Sequence, residues 1–248
     1  VALNEAIGIG KGTVTLDDFD HADAIFVFGQ NPGTNHPRMM NALRKSARSG
    51  CKIVSFNNLK EVALERFASP QDPVELLTPS ATTISHLYLT PKLGGDMAAV
   101  RGMCKYIFEK NQQAIKANQP SIIDNAFIAD HSLNFSQYQN VVSETPWQVI
   151  EQQSGLTQAE LIKAAEVYLT AERVICTWAM GITQHKHSVS TIQEIVNLQL
   201  LKGNIGKKGA GLCPVRGHSN VQGNRTVGIN EKPKAAFITA LAKLVNTA

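Results

Sequence analysis

A chain of 248 residues with 43% hydrophobic and 18% charged residues has enough apolar material for one large globular domain or two small ones. Its net charge of +4 is small for this length, and the absence of a Lys and Arg run or of a basic and aromatic ladder disfavours nucleic-acid binding. No apolar stretch has the length of a membrane span, and no signal peptide is present, so we expect a protein without a membrane span. We expect a cytoplasmic protein because its four cysteines are dispersed, as is typical of reduced thiols inside cells. Because the sequence begins with Val instead of Met, we expect a piece of a longer polypeptide.

The first predicted elements are a strand, a helix and a second strand. Residues 24–28 are a continuous apolar run, which is typical of a buried parallel strand. Residues 36–49 are predicted to be helical, with Pro near the first position and Gly at the end. Residues 52–56 have the character of a second strand. Together they predict a β-α-β unit, which is half of a nucleotide-binding fold.

The turn after the first strand reads Gly29-Gln30-Asn31-Pro32-Gly33. Doubly wound sheets bind nucleotides and phosphates at such turns, at the carboxyl ends of the strands. The turn lacks the Gly-x-Gly-x-x-Gly pattern, which disfavours an ordinary NAD site. A plain turn is the alternative interpretation of its Asn-Pro pair.

The segment after the second strand reads Asn57-Asn58-Leu59. Nucleotide-binding folds commonly place an acidic residue here to hold a ribose or a base edge, and this chain has none. Asn57 can still donate and accept hydrogen bonds to either group.

The chain then continues with two more strands separated by helices. Residues 86–89 are the third predicted strand, followed by Gly94-Gly95-Asp96 at a helix start, where the acid either caps the helix or lies near a ligand. Residues 111–170 are predicted to be helical segments, with a capping box at 157–160. Residues 174–178 are the fourth strand.

An amphipathic helix and a Gly-rich loop follow the fourth strand. From residue 195 to residue 230 the chain contains Lys and Arg but neither Asp nor Glu. Glycines let the backbone approach a ligand closely, and uncompensated cations favour an anion. Anion binding and a solvated surface loop are therefore the two interpretations of this segment.

These elements predict an α/β fold, with a doubly wound, mostly parallel sheet and helices on both faces. The predicted domains are 1–217, a dinucleotide-binding-like domain, and 218–248, the start of a neighbouring domain or a tail helix. The four cysteines, spread without any Cys-x-x-Cys pair, indicate reduced thiols rather than a disulfide framework or an iron–sulfur site.

Three segments carry a resemblance to a known family. WAMGITQH (178–185), LLKGNIGKKGAG (200–211) and PVRGHSNVQG (214–223) look like the central region of the large subunit of molybdopterin-guanine-dinucleotide oxidoreductases. The closest resemblance is to the formate-dehydrogenase-like branch, and it covers roughly residues 1–230. It implies a Rossmann-like domain of an enzyme that oxidises or reduces a small substrate by two electrons.

The resemblance also implies the residues of the site. Arg216 matches an Arg near the metal, where its permanent charge suits a small anion such as a carboxylate; a structural salt bridge is the alternative. His218, the second implied catalytic residue, stands where several relatives have Gln. Many members have Asp-Pro-Arg where this chain has its Asn-Asn-Leu segment. The implied cofactor-binding residues are Gly29, Asn31, Pro32, Asn35, Asn57, Gly94, Gly95, Asp96, Met180, Gly181, Gln184, Gly217 and Gln222.

The implied cofactors are two molybdopterin guanine dinucleotides with molybdenum or tungsten, in the full-length protein, and in some members an iron–sulfur cluster outside this segment. The metal ligand lies upstream in the family, so this segment alone is expected to be inactive. The implied partners are a small-molecule substrate, the remaining domains of the same chain and an electron-transfer protein. A nucleotide-binding domain without molybdenum and a non-catalytic interaction domain that lost the cofactor are the two alternatives.

Overall fold

The computed structural model describes residues 1–78, 80–218, 221–229 and 233–245. They fall into two compact units, Val1–Val215 and Arg216–Ala248. The predicted domain boundary after residue 217 lies close to this division, and the domain roles stay a prediction.

The strands, in chain order, are β1 (Ala24–Phe28), β2 (Lys52–Phe56), β3 (Arg66–Phe67), β4 (Thr82–Thr83), β5 (Ser85–Leu89), β6 (Val174–Trp178) and β7 (Gly211–Pro214). Five of them form a sheet in the order β5-β2-β1-β6-β7, and every neighbouring pair in it is parallel. β3 and β4 form a separate antiparallel pair. β1 and β6 are buried along their whole length, which explains their continuous apolar sequences.

The helices of the first unit are α1 (Ala2–Ile7), α2 (Pro32–Asn35), α3 (Pro37–Arg48), α4 (Val62–Glu65), α5 (Pro73–Leu77), α6 (Asp96–Lys116), α7 (Asn125–His131), α8 (Phe135–Glu144), α9 (Trp147–Ser154), α10 (Gln158–Thr170), α11 (Met180–Thr183) and α12 (Ser188–Leu200). A short 3-10 helix covers Asp17–Asp20, and α13 (Val221–Thr226) and α14 (Ala235–Leu244) belong to the second unit. None of the helices that the structure describes is both long and apolar enough to cross a lipid bilayer.

Hydrophobic cores lie on both faces of the sheet. Side chains alternate along a strand, so Phe26 and Phe28 of β1 pack on the face covered by α6, α10 and α12, while Ile25 and Val27 pack against α3 on the other face. Each such buried side chain contributes roughly 1.5–3 kcal/mol. The predicted α/β fold, with a doubly wound parallel sheet and helices on both faces, is therefore confirmed.

The short strands β3, β4 and β7 were not predicted from the sequence. Of these, only β7 belongs to the five-stranded sheet, and it lies within the segment predicted to be a Gly-rich loop. β7 pairs with β6 at the edge of the sheet, from Gly211 opposite Ile175 to Pro214 opposite Trp178. Four residues bounded by Gly and Pro show neither a long apolar run nor alternation. Only the pairing with β6 makes the segment a strand.

A partly buried ion pair joins α6 to α12. The Arg101 guanidinium donates to both Glu194 carboxylate oxygens, Nε to Oε1 at 3.2 Å and Nη2 to Oε2 at 3.3 Å. The Tyr138 hydroxyl donates to the same Oε1 at 3.1 Å. Bidentate pairs of this kind fix orientation as well as distance. The pair therefore holds together two helices whose N-terminal loops both lie at the carboxyl edge of the sheet.

Candidate functional site

The order of the strands singles out one place at the carboxyl edge of the sheet. The chain runs from β1 outward to β2 and β5, then returns to β6 on the other side of β1. The helix α3, after β1, packs on one face of the sheet, and α12, after β6, packs on the opposite face. The loops after β1 and β6 therefore diverge, and open α/β sheets bind their ligands in the crevice between such loops.

Two glycines join these loops through their main chains. The Gly181 N–H donates to the Gly29 carbonyl oxygen at 3.0 Å. A Cβ atom added to Gly181 would lie 2.5 Å from that oxygen, and one added to Gly29 would lie 2.8 Å from the Gly181 carbonyl carbon. Gly29 also has a φ of +53°, which residues with a side chain rarely adopt. The floor of the crevice is therefore built from backbone.

The loop after β6 extends across the edge of the sheet to the loop between β5 and α6. A Cβ atom on Gly94, which has a φ of +78°, would lie 3.7 Å from Nδ1 of His185. The neighbouring Gly95 faces the end of α9, where its Cβ would lie 2.7 Å from the Ser154 carbonyl oxygen. Gly95 thus has a packing reason to be glycine. Met180 and Gln184, on the same loop as His185, are exposed.

The predicted residues after β1 and β2 form a hydrogen-bonded group. Asn31 Oδ1 accepts from the Thr34 N–H at 3.2 Å and so caps α2. Asn31 Nδ2 donates to Glu61 Oε2 at 2.6 Å. Asn57 Nδ2 donates to the Gln30 carbonyl at 3.4 Å. Thus the turn interpretation of Asn31 accounts for one of its groups, while the other binds an acidic residue that the sequence analysis did not single out.

Other residues at this edge differ in exposure. Pro32 is buried and Asn35 is exposed. Gln30 is only 2% exposed, and its Oε1 accepts from the Thr177 hydroxyl of β6 at 3.1 Å. Gln30 was also missed by the sequence analysis, because nothing in its neighbourhood shows that it turns inward between the loops. It ties the ends of β1 and β6 together beneath the crevice.

Asp96, the first residue of α6, has a carboxyl group whose charged form is disfavoured by burial. Its side chain is buried, with a relative exposure of 7%. Burial raises the pKa of the Asp96 carboxyl to about 6, and its own backbone N–H and the nearby His185 offset only part of that rise. Buried acids with raised pKa values at a ligand-binding edge are candidate functional groups.

We expect Asp96→Asn to stabilise the cofactor-free protein at pH 7 by up to roughly 3 kcal/mol, the equivalent of raising a pKa from 3.8 to about 6. Between about pH 4 and about pH 6 the native carboxyl keeps a proton that the unfolded chain has lost, so wild-type stability falls as pH rises through this window. The stability of the Asp96→Asn variant should not fall in this way, because its amide does not titrate. Unfolding curves of both proteins across this range measure the difference, and parallel pH profiles would contradict it.

Three lysines of the Gly-rich loop have partners within the fold. The Lys202 ammonium donates to the carbonyls of Leu169 at 2.8 Å and Ala171 at 2.6 Å, at the end of α10. Lys207 donates to the Lys202 carbonyl, and Lys208 lies 3.3 Å from an Asp17 carboxylate oxygen. Lys202 and Lys208 therefore hold their loop to segments distant in sequence, while Lys207 binds within the loop. Anion binding by this segment stays a prediction.

The remaining predicted residues lie in the second unit. Arg216 is half-buried there, and Gly217 and His218 are exposed. Gln222 belongs to α13, and its side chain lies outside the described residues. Hence the strand-end residues after β1, β2, β5 and β6 are the ones that the sheet brings to a common edge.

A separate cleft of about 870 Å³ lies between residues 14–20 and the start of α3, and it reaches Val215. Its charges are partly paired, since the Lys45 ammonium lies 2.5 Å from an Asp20 carboxylate oxygen. The predicted site residues of the described chain do not line it. Within the described chain, no group of three or more His, Cys, Asp and Glu side chains is arranged to hold a metal.

The chain is similar to several known proteins. The family model described as "Molybdopterin oxidoreductase" matches residues 4–245. Protein YdeP of Escherichia coli (strain K12) is 48% identical over 243 residues, which is 98% of this chain and 32% of that protein. Formate dehydrogenase H of the same strain is 30% identical over 226 residues, 91% of this chain and 28% of that protein. This chain thus spans about a third of the length of these curated relatives.

Among solved structures, acetylene hydratase from Pelobacter acetylenicus is similar, with a TM-score of 0.63 and 19% sequence identity. The match covers 82% of this chain and 24% of that structure's chain. At this identity the likeness shows the fold alone.

Proposed function

The chain belongs to the molybdopterin oxidoreductase family, and on that premise we propose that it is the central cofactor-binding domain of an enzyme carrying two molybdopterin guanine dinucleotides with molybdenum or tungsten. The proposed reaction is a two-electron oxidation or reduction of a small substrate similar to formate. Support for this branch comes from the similarity to formate dehydrogenase H. The metal ligand would be supplied by another part of the full-length protein, so that this segment alone is inactive.

The observation that carries the proposal is the backbone floor at the switch point between β1 and β6. A bulky dinucleotide needs a place where no side chain blocks its approach. Gly29 and Gly181, whose backbones pack against each other without side chains, would provide one. The buried Asp96 carboxyl and the exposed Gln184 add polar groups at the same edge. These residues fit the nucleotide part of the cofactor, which is rich in hydrogen-bond donors and acceptors.

The chain's own residues would bind and orient, while the metal and pterins, when bound, supply the redox chemistry. The backbone at Gly29 and Gly181 would carry the dinucleotide, and Asp96 and Asn57 would accept hydrogen bonds from it. Arg216 would hold the anionic end of the substrate through its fixed charge, with His218 beside it. Burial of the Asp96 carboxyl lowers the stability of the folded protein. Such a loss of stability is common at residues that serve a function.

One experiment tests the proposal directly. We expect the purified full-length protein to contain molybdenum or tungsten, together with a fluorescent oxidised pterin and GMP released by acid hydrolysis. Two pterins and two GMP per metal ion would support the bis-dinucleotide form. A full-length protein with neither metal nor pterin would contradict the enzyme function and favour the alternative of an interaction domain that kept the fold.

Two further parts of the proposal stay predictions. The cytoplasmic location rests on the four dispersed cysteines, which are all free thiols in the structure. An electron-transfer partner is predicted because the proposed redox reaction must deliver its electrons to an acceptor or draw them from a donor.

A further inference from the structure

An acidic residue, Glu61, lies a few residues beyond the position directly after β2. The position after β2 carries Asn57-Asn58-Leu59, where nucleotide-binding folds commonly have an acid. Glu61 lies in the same loop, just before α4, and its carboxylate meets Asn31 from the loop after β1. The carboxylate is therefore at the carboxyl edge of the sheet, between the ends of β1 and β2.

The backbone around Glu61 is fixed by the packing of α2 against α4. A Cβ atom on Gly33 of α2 would lie 2.3 Å from the Cβ of Ala63 in α4. Only a glycine at this position allows the two short helices to approach so closely. This approach brings the start of α4 to the loop after β1.

A tyrosine of β5 clamps the same loop from the other side. The Tyr88 hydroxyl accepts from the Glu61 N–H at 3.0 Å and donates to the Leu59 carbonyl at 2.7 Å. These two hydrogen bonds fix the backbone of the loop. The 2.6 Å bond from Asn31 Nδ2 to Glu61 Oε2 fixes the position of the carboxylate. Such preorganisation reduces the entropy lost when a ligand binds.

One side of this carboxylate is left for a ligand. A carboxylate has two oxygens and about four lone-pair sites, and Asn31 uses one of them at Oε2. Within the part of the chain that the structure describes, the other oxygen, Oε1, accepts no hydrogen bond. Glu61 as a whole is half-buried and thus lies partly at the surface of this edge.

We propose that Glu61 recognises the guanine base of the dinucleotide cofactor, by accepting hydrogen bonds from its ring N–H and its amino group. The inference rests on the proposed function and adds a specificity-determining residue to it. Guanine presents two adjacent donors on that edge, which match two carboxylate oxygens; adenine presents a donor beside an acceptor. A negative charge at this position also repels the pyrophosphate, so it selects the nucleoside end of the cofactor for the β1 and β2 side of the crevice.

The test uses the full-length protein and the variants Glu61→Gln and Glu61→Asp. The Gln amide oxygen can still accept the bond from Asn31, so the loop should keep its structure, but its NH₂ group opposes the guanine donors. We expect Glu61→Gln to release GMP-containing cofactor at least about tenfold faster on dialysis, the equivalent of one charge-assisted hydrogen bond. Glu61→Asp keeps the charge and should retain more cofactor than Glu61→Gln.

Glu65→Gln is the matched control, because Glu65 lies in α4 and pairs at 3.7 Å with Lys60. It should release cofactor at the wild-type rate. A Glu61→Gln protein that keeps its cofactor as wild type does would overturn the inference while leaving the family function intact. Loss of cofactor in proportion to a lowered melting temperature, alike in Glu61→Gln and Glu61→Asp, would assign Glu61 a structural role only and would overturn it too. A wild-type protein without metal, pterin or GMP would instead refute the proposed function, and the inference with it.

Discussion

Replacing Gly181 with alanine is expected to lower the free energy of unfolding by about 3 kcal/mol, the upper end for inserting an atom into a packed interior, and to remove most of the bound cofactor. The new Cβ would lie 2.5 Å from the Gly29 carbonyl oxygen and 2.7 Å from the Gly29 Cα. Both are backbone atoms, which cannot move aside as the end of a flexible side chain can. The hydrogen bond from the Gly181 N–H to that oxygen would be strained or lost.

Gly10→Ala is the control for this substitution, because nothing lies within 4 Å of a Cβ at Gly10. Thermal unfolding and metal content of the two full-length variants should be measured side by side. We expect the Gly10 variant to match the wild type in both. A Gly181→Ala protein with wild-type stability and metal content would show that the two loops can separate without cost, and the backbone floor would lose its significance.

Arg216→Ala in the full-length enzyme is expected to lower kcat/KM by roughly 100- to 1,000-fold, as removal of one preorganised donor to a charged reacting group does. Metal and GMP content should change little, since the proposed role of Arg216 is toward the substrate. Arg216→Lys keeps the positive charge but loses the planar fork of donors, so its activity should lie between the two. Steady-state kinetics with formate, beside metal analysis of the same samples, measures both quantities.

Two outcomes would contradict the role of Arg216. Unchanged turnover in Arg216→Ala would remove the residue from the active site. A fall in melting temperature that accounts for the lost activity would instead support the alternative interpretation, a structural salt bridge.

The parts of the fold that follow from local sequence were predictable. β1 and β6 are fully buried parallel strands, so an apolar run of five residues is enough to predict each of them. The capping box at the start of α10, from Thr157 to Glu160, is formed as predicted, because its donors and acceptors lie within one helical turn. Such elements depend on neighbours in the chain.

The parts that depend on distant contacts were not predictable in the same way. Glu61 gains its position from Asn31 and from the Gly33 contact with Ala63, some thirty residues away in sequence. Lys202 has no acidic neighbour along the following sequence, yet two carbonyl groups at the end of α10 accept hydrogen bonds from it. In both cases the decisive partner is supplied by tertiary packing, which a count of charges along the chain does not contain.

The joint between Gly29 and Gly181 has a consequence for how this kind of domain diverges. Because the two loops meet through main-chain atoms, amino-acid replacements elsewhere on the rim leave their meeting point untouched. Substitutions of Asn31, Glu61 or Gln184 could therefore change which molecule binds without altering the backbone contact between the two loops. We therefore expect new ligand preferences to arise from such residues, while Gly29 and Gly181 stay glycine, because a Cβ on either would lie within 3 Å of the other's backbone.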